Sequence, residues 1–243
     1  MSTNSEVKTL VSPSLHVANI KSADWYKEGV EPYVSHAAEA MDTAYQSVEA
    51  VINARQKVQA DPTRTGQYKI LTTAKLGDKY SAQVQSKYES SWNKLNAGIK
   101  HTEAELSKPI SEAAGVGNVA TEIRSHLSGM KQSERMAFLN AAMERGDDKT
   151  LTSALGAPFY LSGMTELEHN HFTRLYHTKR NPDASMRLDA MKGALDKLER
   201  SKPIFMQEME RAIGANAQQV EKLKAASSEA EAALILRDFA PNA

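Results

Sequence analysis

Cysteine is missing from all 243 residues, which excludes disulfides and thiolate chemistry and suits a reducing compartment. Long hydrophobic runs are missing too, and none approaches the ~20 residues of a membrane-spanning helix. The opening 24 residues show no basic stretch followed by an apolar block, so no signal peptide is expected. Neither sign of charge dominates. Lys plus Arg and Asp plus Glu both number 30, a balance that does not favour nucleic acid as the main partner. Glycine and proline are scarce, at 12 and 8, and cluster between segments rather than inside them. Aromatic residues are only 6%, nothing reads as a strand, and Ala, Glu, Lys, Gln and Met are abundant. These features predict an all-α protein.

What is present is heptad periodicity. Pro32 suits a first helical turn, where its missing N–H costs nothing. From there Val34, Ala37, Met41, Ala44, Val48, Val51 and Val58 recur at spacings of three and four, widened by Tyr45 and Ile52 and interrupted by Arg55. Asp-Pro-Thr-Arg-Thr-Gly at 61–66 stops that helix. A second stripe follows through Leu71, Ala74, Ser81, Tyr88, Trp92, Leu95, Ile99, Thr102 and Leu106, with possible bends at Gly77 and Gly98. Two long stripes and a short link predict a coiled-coil-like antiparallel hairpin over 25–111. Residues 1–24 lack periodicity and read as an extended arm, ordered only on a partner, whose loss leaves stability nearly unchanged. The stretch 112–120 reads as a domain boundary.

Beyond it, 118–243 reads as a domain of shorter helices. Asn118 and Ser133 are candidate N-caps, Gly146 a left-handed C-cap, Asp147 or Asp148 a helix start, and Thr165 a cap. A heptad line through Leu188, Met191, Leu195, Leu198, Lys202, Phe205, Met209 and Ala212 runs across Pro203. It implies one kinked helix or two coaxial ones. A polar, Ala-rich helix and a short apolar one at 229–239 end the chain.

Thr165 to Asp183 holds three of the seven histidines. On a helix, Leu167, His171 and Leu175 share one face, which points His171 to the core. His169 lies about 200° away, so the two cannot clamp one ion. Glu166 and His169 have the Glu-x-x-His spacing of di-metal bundles, but such sites need the pair on each of two helices, and its overlapping repeat, Glu168 with His171, falls on this same helix. A metal protein built on Glu166, His169 and His177 is the weakest alternative. No phosphate-binding glycine loop and no Gly-x-Ser-x-Gly elbow occurs. The expectation is therefore no enzyme, no catalytic or metal-binding residue and no cofactor.

The run "AFLNAAMERGDDKTLTSALGAPFYLSGMTELE" at 137–168 resembles a phrase of small helical proteins of tailed bacteriophages. The resemblance implies a virion-associated or head-assembly protein located in the virion or host cytoplasm. A cytosolic adaptor or chaperone that binds client helices is the alternative. The hairpin's apolar band is wider than one seam, and leaving it in water would be costly. With the C-terminal half read as a separate domain, other subunits must cover that band. Val34, Met41, Tyr45, Val48, Ile52, Tyr88 and Trp92 are the predicted interface of a homo-oligomer, a ring or array within a larger assembly.

Overall fold

The computed structural model describes residues 10–111 and 117–233. The first nine residues of the predicted arm, most of the predicted boundary, and 234–239 of the short apolar helix predicted at 229–239 lie outside the described residues, as do 240–243. Among those described, the fold is all-α and holds no strand. The helices are α1 (Ala18–Lys21), α2 (Glu31–Gln59), α3 (Gly66–Glu105), α4 (Asn118–Ser128), α5 (Gln132–Arg145), α6 (Asp148–Leu155), α7 (Glu166–Arg180), α8 (Pro182–Ile213) and α9 (Ala217–Ala233), with 3-10 turns at Pro13–Leu15 and Phe159–Ser162. Among the described residues, no helix is long and apolar enough to cross a membrane.

The chain forms two compact units that differ from the sequence-based segments. One is Met1–Leu95 with Gly193–Ala243, the other Asn96–Lys192, so both cuts fall inside long helices and not at 112–120. In the first unit, α2 and α3 form the expected antiparallel hairpin. Lys69 Nζ donates to the Gln59 carbonyl near the turn, and Ser91 Oγ donates to the His36 carbonyl far from it. The register is constant between these two points. Val34, Ala37, Met41, Ala44, Val48 and Val51 are all buried, as their heptad spacing predicts.

The cover over the hairpin is where expectation and structure part. The C-terminal helices of the same chain lie on it. A Cβ on Gly77 would stand 2.8 Å from Ile213 Cδ1, so the glycine permits close approach of α3 and α8 and is not a hinge. Tyr88 meets Ser201 and Phe205, and Lys224 of α9 pairs with Asp78 at 2.9 Å. Arg55, the break in the seam, donates to the Arg211 carbonyl at 3.1 Å and so satisfies the end of α8. Burial of the apolar band thus needs no second subunit. The earlier expectation treated the C-terminal half as separate, whereas the chain from 193 onward belongs to this unit.

The extended arm is corrected as well. Residues 12–22 form a 3-10 turn and α1, with Val11, Leu15 and Ile20 fully buried. The segment is pinned at both ends. The Ser12 N–H donates to Glu208, Arg211 donates to the Leu10 carbonyl, and His16 meets the Tyr45 ring edge-on at 5.2 Å. Trp25 lies so close to α8 that a Cβ on Gly193 would stand 2.2 Å from its Nε1. Three of the segment's aliphatics, Val11, Leu15 and Ile20, are core residues, which explains why they are there.

In the second unit, α4 to α7 enclose Leu127, Leu139, Ala142, Met143, Leu151, Leu155, Met164 and Phe172. Local chemistry sets the helix ends. Gly146 is left-handed at φ 67° after α5, and Asp147 caps α6 by accepting from the Thr150 N–H at 3.1 Å. Thr165 and Glu168 form a reciprocal capping box at the start of α7. Two predicted caps shift: Gly117 precedes α4, and Ser133 lies inside the first turn of α5.

Glu168 does more than cap. It is buried beside Arg135 at 3.8 Å and accepts from Gln132 at 2.9 Å, while Arg135 reaches the Met130 carbonyl at 3.2 Å. Burial pushes the Glu168 carboxyl upward, but hydrogen bonds from Thr165 and Gln132, with the Arg135 charge, outweigh it and hold the pKa below the usual value. This network sets the rotation of α7 and overturns the predicted face. Phe172 and Thr173 are buried, His171 is exposed, and Leu167 is 81% exposed.

Candidate functional site: an apolar groove on the first unit

Between α3 and the later half of α8 lies an open groove of about 640 Å³, lined by Ser81, Val84, Gln85, Tyr88, Glu89 and Trp92 on one side and by Leu198, Glu199, Lys202, Phe205 and Met206 on the other. The α3 residues recur at three and four, so they form one stripe. The α8 residues do the same, and the helix continues through Pro203 without a break. Buried Val84, Tyr88, Leu198 and Phe205 make the floor. Trp92, 45% exposed, and Met206, 54% exposed, rise at the edges beside Glu89, Glu199 and Lys202.

Hydrogen bonds fix the two walls level with one another. Tyr88 Oη and Ser201 Oγ are 2.7 Å apart, Ser201 Oγ donates to the Leu198 carbonyl at 2.7 Å, and Trp92 Nε1 donates to Glu199 at 3.0 Å. Burial pushes the Tyr88 phenol upward, only partly opposed by Ser201, so it stays neutral at physiological pH. The groove therefore offers aromatic and thioether contact area with charged lips. Such a surface is chemically suited to apolar side chains.

A smaller concavity of about 390 Å³ lies between α2 and α3, lined by His36, Glu39, Gln83, Ser86, Lys87, Ser90, Ser91 and Lys94. Burial and then the Lys94 charge lower the His36 pKa, against a weaker opposing pull from Glu39. His36 Nε2 is buried without a hydrogen-bond partner.

Of the seven residues predicted as an interface, Tyr88 and Trp92 line the groove. Val34, Met41 and Val48 are core of the same chain, and Tyr45 and Ile52 are half-buried. The α8 wall went unrecognised, although Lys202 sitting in an apolar heptad line was a signal that this position faces water. The histidine-rich helix brings no ligand set together. His169 Nε2 lies 3.0 Å from the Leu155 carbonyl and His177 Nε2 lies 2.7 Å from the Lys108 carbonyl. Among the described residues, no three His, Asp or Glu side chains are grouped to hold a metal ion.

Fold and groove together describe an all-α protein built on a helical hairpin and carrying an exposed apolar cleft. No protein-family profile, curated protein or solved structure matches the chain.

Proposed function

We propose that the protein is a non-enzymatic structural or assembly component of a bacteriophage particle, acting through helical association in the virion or host cytoplasm. The observation that carries this reading is the open groove, whose walls are two long helices levelled by the buried Tyr88–Ser201 hydrogen bond and the exposed Trp92–Glu199 one. A stiff scaffold with an exposed Trp and Met suits assembly, because little conformational entropy is lost on docking. The resemblance of 137–168 to small phage proteins supplies the setting. The test is mass spectrometry of particles and assembly intermediates purified from cells carrying the gene in its natural context. Multiple copies per particle are expected, and absence from every such fraction overturns the reading.

The groove's length favours a second reading, an adaptor that receives a client helix. From Ser81 to Trp92 the α3 wall extends about 16 Å, room for three turns of an amphipathic helix. Calorimetry with helical peptides of that length, showing one site per chain and no particle association, would favour the adaptor.

A further inference from the structure

We infer that the groove pairs with the same groove of a second copy of this chain, with the two-fold axis running along its length. The inference rests on the assembly reading above and specifies its contact. The Tyr88–Ser201 hydrogen bond places those residues at one level on opposite walls. Glu89 and Lys202, each the next residue of its helix, therefore stand near one level on opposite lips, and both are exposed. Rotation about the groove's long axis lays the α3 lip of one copy over the α8 lip of the other. Glu89 of each copy then meets Lys202 of its mate, so the charge pair is made twice. An axis across the groove would set each lip against itself and leave both charges without partners. The surface is self-complementary in the sense that an isologous contact requires. Exposed Trp92 and Met206 supply apolar area at opposite edges.

Size sets the strength. A contact three helical turns long falls short of the ~800 Å² per partner of a standard stable complex, so pairing is concentration-dependent and is reinforced when copies are arrayed.

The experiment is sedimentation velocity on the full chain from 1 to 200 µM, a range chosen for roughly micromolar pairing. Wild type is expected to self-associate reversibly within it. Glu89→Lys and Lys202→Glu should each weaken pairing about tenfold or more, as like charges then face each other twice. Mixing the two variants restores association, because each supplies the charge the other needs, and the double variant restores it within one chain. Unchanged circular dichroism checks that these exposed positions leave the fold intact. A wild type monomeric throughout, or a mixture no stronger than its components, overturns the inference. A foreign helix as occupant would leave the purified chain monomeric across the range, and also overturns it. Recovery of the chain in particles despite monomeric behaviour sinks only the self-pairing. Pairing without any particle association sinks the assembly reading instead.

Discussion

Removing residues 1–23, or truncating Leu15 and Ile20 to Ala, tests whether the N-terminal segment is core. Both side chains are fully buried, and Leu or Ile to Ala at such sites costs about 2–5 kcal/mol each. Deletion also removes Val11 and uncovers the surface beneath all three, and it breaks the Ser12–Glu208 and Leu10–Arg211 hydrogen bonds. Burial of three such aliphatics is worth about 5–9 kcal/mol, an upper estimate because unfolded chains are already partly collapsed. That is comparable to a whole domain's stability of about 5–15 kcal/mol. The assay is urea unfolding followed by tryptophan fluorescence, since Trp25 and Trp92 both lie in the first unit. With a slope near 2 kcal/mol per molar, each point variant should lower the midpoint by about 1–2.5 M. The deletion should leave the first unit largely unfolded. A midpoint unchanged by deletion would show the segment to be a detachable arm and refute the packing described here.

Glu168→Ala should cost about 3–5 kcal/mol, because Arg135 stays buried with its charge uncompensated; replacing both by apolar residues should recover much of the loss. The Glu168 pKa is lowered on folding, so its stabilisation is complete above the ordinary glutamate value of the unfolded chain and is lost as pH falls through the lower folded value. Wild type should therefore lose more stability than Glu168→Gln in denaturant melts taken between about pH 5 and 3, and equal losses would refute the assignment. Gly193→Ala should displace Trp25 from α8, costing roughly 1–3 kcal/mol with a red-shifted emission, read in a Trp92→Phe background. His171→Ala should change stability by less than about 0.5 kcal/mol, whereas His169→Ala, which removes the contact with the Leu155 carbonyl, should cost about 1 kcal/mol in the same melts.

Features that depend on a few neighbouring residues were legible in the sequence. Heptad spacing placed Val34, Met41 and Val48 on the buried seam of α2. Gly146, Asp147 and Thr165 marked helix ends through their own backbone and side-chain chemistry. The all-α class followed from composition and period. Periodicity determines which side of a helix is apolar, but it carries no information about what covers that side. Only the tertiary structure decided that α8 and the N-terminal segment cover the hairpin, through contacts such as Tyr88 with Ser201 and His16 with Tyr45. Rotation of α7 had the same origin. The pattern of Leu167, His171 and Leu175 pointed one way, and the buried Arg135–Glu168 network with Phe172 turned the helix the other. The groove is the further consequence, since two walls more than a hundred residues apart become one surface only when the chain returns along itself.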